Sequence, residues 1–329
     1  MSVIEKNIPL TAFEREMAEK NSGSSLLVKM PLPVMRWFVL RNIESYRNPE
    51  DFVMPVMPAC GHEIEYERRE MEGAPKPVGV SVYFRKADAG KKRPLLFFIH
   101  GGGFMGGDSR VSEGLMRWLA DKLGIVAASV DYNVAPEVKH PVPLEDCYRA
   151  FRYVLAHYPV KEDEMFFAGD SAGGNLAAVM TLKLLAETDL VPRGQILFYP
   201  VTNLDSVDSE SYREKGPEYA MMCKGIKLSQ MVYLPDKASR KHPYVSPAYA
   251  QMEKPQPDAL LLVAERDGLR SDGTTYAQKL EEAGGYARCI VYKGAFHSFI
   301  NDLFRSDIAD DAAQEMLAFM KERISGHNG

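Results

Sequence analysis

From about Pro77 onward, short runs rich in β-branched and aromatic residues alternate with stretches of helical periodicity, the pattern of an α/β fold with a largely parallel sheet. Strands are predicted at 78–84, 95–99, 125–130, 165–168, 195–198, 259–264 and 287–292. Several of these runs are apolar throughout, as expected of strands covered on both faces. Helices are predicted near 109–123, 144–157, 172–187, 271–284 and 308–325, and no internal repeat is visible.

Two segments break the alternation. Residues 1–60 hold a polar amphipathic stretch, then PLPVMRWFVLRNIESY, then the proline-broken DFVMPVMPAC. Residues 202–245 are polar, with Met221, Met222, Met231 and Tyr233 in helical surroundings. Any one of these methionines is ordinary core. Together the two segments predict a cap over a pocket at the ends of the strands. The expected organisation is an N-terminal cap segment (1–60), a core in two parts (61–201 and 246–329) and a cap insertion between them (202–245).

The remaining bulk properties narrow the partners. With 329 residues, 46% of them hydrophobic, the chain can bury a sizeable core. A net charge of −5 with dispersed Lys and Arg offers no basic face for nucleic acid. No apolar run approaches bilayer length and the first twenty residues lack a signal-peptide core, so a cytoplasmic protein without stable membrane insertion is expected. Cys60, Cys147, Cys223 and Cys289 stand far apart with no C-x-x-C pair, which points to core residues and to neither a disulfide framework nor a zinc site.

The predicted strand at 95–99 runs into His100-Gly101-Gly102-Gly103-Phe104-Met105-Gly106-Gly107, a loop suited to presenting backbone N–H groups to negative charge. Gly101, Gly103 and Gly106 satisfy G-x-G-x-x-G, and Asp131 ends the next apolar strand where a ribose-binding acid would stand in a dinucleotide fold. Against that reading, Gly106-Gly107-Asp108-Ser109 delays the helix too long for its N-terminus to face a pyrophosphate. A strand also precedes the supposed first unit.

The alternative target is a transient oxyanion, which requires a nucleophile. Gly169-Asp170-Ser171-Ala172-Gly173 is a G-x-S-x-G pattern between an apolar strand and a helix rich in Ala and Leu, the setting of a nucleophile elbow. The strand at 259–264 leads into Glu265-Arg266-Asp267-Gly268, and that at 287–292 into Lys293-Gly294-Ala295-Phe296-His297. An acid and a histidine after consecutive strands can converge at the carboxyl edge of the sheet. Glu265 is expected to belong to the strand end and Asp272 to cap the following helix, which leaves Asp267 on the turn, facing His297.

The stretches HGGGFMGGD (100–108), DYNVAPEVKHPVPLEDC (131–147), GDSAGGN (169–175), ALLLVAERDGLRSDGTTYAQKL (259–280) and FHSF (296–299) resemble the hormone-sensitive-lipase-like branch of α/β-hydrolase esterases, in its Gly-Asp-Ser-Ala-Gly subgroup. The resemblance spans roughly residues 75–325. It implies an α/β-hydrolase fold with helices on both sheet faces, a helical cap built partly from the N-terminal segment, and a serine carboxylesterase of short- to medium-chain esters. No cofactor and no metal are implied. Ser171 would be the nucleophile, His297 the base and Asp267 its partner, with the N–H groups of Gly102, Gly103 and Ala172 as oxyanion donors. Two departures are Gly268, where a proline often follows the acid, and Ser298, where a glycine often follows the histidine.

Other polar residues invite smaller roles. His100 is expected to shape its loop, and Asp131, Glu145 and Asp146 to organise the DYNVAPE region. His140 and His242, each beside a proline, read as surface residues, and Asp170 as either a solvated turn residue or an elbow brace. The expected partner is a small ester, with a homodimer left open. Two competing functions remain: a non-catalytic small-molecule receptor on the same fold, and an amide or peptide hydrolase.

Overall fold

A computed structural model describes residues 3–16, 29–47 and 55–325. Its strands are β1 (Val3–Lys6), β2 (Ile64–Met71), β3 (Val78–Arg85), β4 (Arg93–Ile99), β5 (Val126–Asp131), β6 (Val160–Asp170), β7 (Gly194–Phe198), β8 (Asp258–Arg266) and β9 (Ala287–Phe296). They form one sheet in the order β1-β9-β8-β7-β6-β4-β5-β3-β2. β3 pairs antiparallel with β2 and β5, and the other pairs are parallel.

Six of the seven strands expected from the sequence fall within β3, β4 and β6 to β9, and the seventh, 125–130, starts one residue before β5. The two edge strands were not expected, and the reason is physical. β2 reads IEYERREM, and an edge exposed to water is protected by such charges, which also erase the apolar signal. β1 is only four residues long and pairs with β9 alone.

The main helices are α1 (Leu32–Arg41), α2 (Ile43–Arg47), α3 (Glu113–Leu123), α4 (Val142–His157), α5 (Ala172–Glu187), α6 (Pro217–Val232), α7 (Arg270–Glu282) and α8 (Asp307–Ser325). Alternate residues of β4 supply two cores. Leu95, Phe97 and Ile99 join Phe151 of α4, Leu176 of α5 and Tyr276 of α7; Leu96 and Phe98 join Leu119 of α3 and Met316 of α8 on the other face. Each such side chain contributes roughly 1.5–3 kcal/mol on burial, which is why these strands are apolar at every position.

The two segments outside the alternation meet above the carboxyl ends of the strands. α1 packs against α6, with Met35 and Val39 turned inward. The N-terminal segment also supplies β1, so its start belongs to the sheet edge. Residues 17–28 and 48–54, part of the amphipathic stretch and of DFVMPVMPAC, lie outside the described residues.

Candidate active site

Ser171 sits between β6 and α5 with φ 54° and ψ −117°, a conformation that costs a non-glycine residue on the order of 1–3 kcal/mol. Its surroundings hold it there: its N–H donates to the Phe198 carbonyl at 2.9 Å, and its own carbonyl accepts from Val201 N–H at 3.2 Å. The flanking glycines are steric necessities. A Cβ on Gly169 would fall on the Gly173 carbonyl oxygen, and one on Gly173 would fall on that of Ile99.

The structure brings three of the expected residues into one chain of hydrogen bonds. His297 Nε2 lies 2.9 Å from Ser171 Oγ, and His297 Nδ1 lies 2.6 Å from Asp267 Oδ2. The other Asp267 oxygen accepts from Leu269 N–H at 2.9 Å, which fixes the rotamer of a buried carboxylate. The neighbouring acids are committed elsewhere. Glu265, at the end of β8, accepts from Gly294 N–H at 2.8 Å and pairs with Lys293 at 2.7 Å, an interaction that lowers its pKa.

Asp272 requires a correction. It does not cap α7; it is buried and accepts from the N–H groups of Thr202 and Asn203 at 2.9 and 3.0 Å. Burial pushes its pKa up to about 7 against those bonds, with the charge of Asp267 adding to the rise. A helix-start carboxylate looks the same in sequence whether it serves its own helix or a loop 70 residues away.

Burial by itself would lower the pKa of His297, but the adjoining Asp267 carboxylate, with Asp170 behind it, reverses this and raises it. An imidazole must be neutral to accept a proton, so activity is lost as pH falls through the raised value. The acidic limb of kcat/KM is therefore expected above the 6.5 of an unperturbed imidazole. A limb centred at or below that value in a pH–rate profile would contradict the arrangement. The stability contribution has the opposite sense: it is complete below the unfolded pKa and lost as pH rises through the folded one.

The glycine loop lies beside the elbow. Among the described residues, the N–H groups of Gly102, Gly103 and Ala172 have no hydrogen-bond acceptor. Gly102 has φ 116° and Gly103 φ 61°, values that L side chains avoid. Asp170 is a brace, buried and accepting from Gly101 N–H at 2.7 Å, and burial raises its pKa. His100 stacks on Tyr132 at 4.4 Å, and its Nδ1 is 2.7 Å from the Gly101 carbonyl. Asp131 accepts from Ser109 N–H at 2.5 Å and Asp146 from Asn133 N–H at 2.9 Å, so both organise loops. Glu145 instead pairs with Lys183 at 3.2 Å.

Four further residues escaped sequence reasoning because their partners lie far off in the sequence. Asn175 Nδ2 donates to Val201 and Val245 at 2.8 and 2.9 Å, tying both ends of the 202–245 segment to α5. Arg47 of α2 donates to the Met105 carbonyl at 2.7 Å. Ser229 of α6 donates to the Gly103 carbonyl at 3.2 Å. Phe104 stacks on Tyr233 at 4.1 Å. Segments outside the sheet thus hold the glycine loop in place.

That contact also corrects His140. It is half-buried against Tyr233, its N–H donating to the Tyr233 carbonyl at 2.9 Å, and burial with His242 nearby brings its pKa down to about 4. His242 is exposed. The two departures from the family pattern have local accounts: a Cβ on Gly268 would lie 2.9 Å from the Tyr212 ring, leaving no room for proline. Ser298 takes the left-handed conformation, φ 70°, where glycine is favoured.

A cavity of about 540 Å³ joins Ser171, His297 and the glycine loop to α1 and α6. Its apolar wall includes Met35, Val39, Met105, Met221, Met222 and Ile226. Met231, by contrast, is exposed. Among the described residues, no helix is long and apolar enough to cross a membrane.

A family model described as alpha/beta hydrolase fold matches residues 96–301. An ethyl acetate hydrolase of Pseudomonas putida is 29% identical over 236 residues, which cover 70% of this chain and 73% of that one. A carboxylic ester hydrolase of Mycobacterium tuberculosis is 32% identical over 262 residues, 76% of this chain and 69% of its own. The solved esterase of Pyrobaculum calidifontis matches with a TM-score of 0.78 at 29% identity, over 95% of this chain and 99% of that chain.

Proposed function

The chain belongs to the alpha/beta hydrolase fold family, in its hormone-sensitive-lipase-like branch, and from that premise we propose how it works as a serine carboxylesterase. Ser171 Oγ attacks the ester carbonyl while His297 Nε2 takes its proton. The resulting imidazolium is stabilised by Asp267, which also holds the tautomer that leaves Nε2 free. The tetrahedral oxyanion is received by the N–H groups of Gly102, Gly103 and Ala172, and preorganised donors of this kind contribute ~3–4 kcal/mol each where one has been removed. His297 returns the proton to the leaving alcohol. Water then attacks the acyl-enzyme by the same route in reverse.

The observation that carries this reading is the continuous path Ser171–His297–Asp267 at 2.9 and 2.6 Å beside three unused N–H groups. A receptor would not need that alignment. The cavity, bounded by α1 and α6, supports short- to medium-chain acyl groups, and its methionines give it some adaptability. Stopped-flow kinetics with p-nitrophenyl esters from acetate to laurate test both parts. The expected result is a burst of one p-nitrophenolate per chain and a maximum at short or intermediate length. Absence of hydrolysis, or a continuous rise to the longest chain, would overturn the reading.

A further inference from the structure

α1 turns apolar residues in two directions. Met35 and Val39 face the cavity. The 3.6-residue period carries Val34, Trp37, Phe38 and Arg41 to the opposite side, where the first three are 48%, 59% and 40% exposed. Nine large apolar side chains stand exposed among the described residues, and three of them crowd onto this ten-residue helix. Single exposed apolar residues are ordinary, whereas a cluster marks a surface that is covered in use. The neighbouring α6 has the same two-sided character: Met222 and Ile226 line the cavity, while Lys227 and Met231, one turn apart, are exposed away from it. Lys224, on that side of α6, donates to the Met30 carbonyl and so fastens α6 to the start of α1.

The charges around these apolar residues are of one sign, although the chain as a whole carries −5. Lys29, Arg36, Arg41 and Lys227 are exposed and make no ion pair among the described residues. α1 holds no acid, and the one acid of α6, Glu218, is turned in against Arg266. The Arg41 guanidinium lies over the Trp37 ring, 5.3 Å from the centroid, so a cation and the largest apolar side chain of the face come as a unit.

Four cations around an apolar centre select the occupant. A second copy of this chain, docked through the same face on a twofold axis, would bring the cations against their own copies. A neutral apolar partner would strip them of water without replacing it. An anionic bilayer surface meets both demands: its headgroups pair with the cations, and Val34, Trp37 and Phe38 enter the boundary beneath them, where indole rings settle. α1, about 15 Å long, is too short to span a bilayer and has the length to lie along one. We propose that the outward face of α1 and α6 docks on an anionic phospholipid surface, with Trp37 and Phe38 as anchors and Lys29, Arg36, Arg41 and Lys227 as headgroup contacts. Docking brings the cavity behind Met35 and Val39 to that surface, and it requires nothing of the reaction carried out there.

The test uses the full chain without substrate, and unilamellar vesicles of phosphatidylcholine alone or mixed equally with phosphatidylglycerol. Of the two tryptophans, Trp118 is only 7% exposed, so a change in emission reports Trp37. With the anionic vesicles the emission should move to the blue and the protein should sediment with the lipid, roughly tenfold or more tightly than with phosphatidylcholine, and about 0.5 M NaCl should release it. Arg36→Gln combined with Arg41→Gln should weaken this binding about tenfold, and the corresponding pair of Lys substitutions should restore it. Trp37→Gln combined with Phe38→Gln, followed by sedimentation, should weaken it comparably. None of these four side chains lines the cavity or is buried, so the urea midpoint should stay at the wild-type value. The proposal is wrong if neither vesicle binds, if both bind alike, or if the Gln variants bind as the wild type does. A blue shift on raising the protein concentration without lipid, with a dimer in sedimentation velocity that the Trp37→Gln, Phe38→Gln variant lacks, would assign the face to a second copy instead. The esterase reading is untouched by any of these results.

Discussion

Ser171→Ala is expected to fold as the wild type does and to lose on the order of 10⁴-fold or more in kcat. The fold should persist because the strained backbone at Ser171 is held by main-chain bonds to Phe198 and Val201, which alanine keeps. The loss follows because, among the described residues, no other hydroxyl lies within hydrogen-bond reach of His297 Nε2. Residual rate would come from the unused N–H groups and from binding alone. Steady-state turnover and a urea midpoint measured together separate the two effects: a variant that retains more than a hundredth of wild-type kcat would remove Ser171 from the chemistry.

Asp267→Asn is the second large effect, roughly 10⁴-fold in kcat with little loss of fold. The amide turns a donor toward His297 Nδ1 or forces the other tautomer, and either outcome removes the base at Nε2. Asp272→Asn should do the reverse. Its carboxyl touches Thr202 and Asn203 rather than His297. An amide there leaves a buried N–H₂ group without an acceptor, so about 1–3 kcal/mol of stability should be lost while kcat remains near normal. The urea midpoints and kcat of both variants check the assignment, which fails if Asp272→Asn alone abolishes turnover.

The contrast between those two acids shows what could be read from the sequence and what could not. Strands β3 to β9 announced themselves because burial on both faces leaves continuous apolar runs. The elbow was readable because its glycines answer to the local backbone, with Gly173 against Ile99. Asp267 could be separated from Glu265 by strand position. Asp272, His140 and Asn175 could not be read correctly, since their roles depend on elements 70 or more residues distant: Thr202, Tyr233 and Val245. The edge strands were hidden by the charges and shortness that protect an edge. Trp37 and Phe38 look like core residues in sequence, and only the packing of α1 with Met35 and Val39 inward leaves them facing water.

The central claim is that one serine, activated through His297 and Asp267, carries the acyl group. Reaction with an excess of an alkyl phosphonate, followed by intact-mass measurement and peptide mapping, examines it most directly. One adduct per chain is expected, on the peptide carrying Ser171, formed in step with loss of esterase activity and absent from Ser171→Ala. A stoichiometric adduct on any other residue, or full turnover by a chain already labelled at Ser171, would contradict the claim.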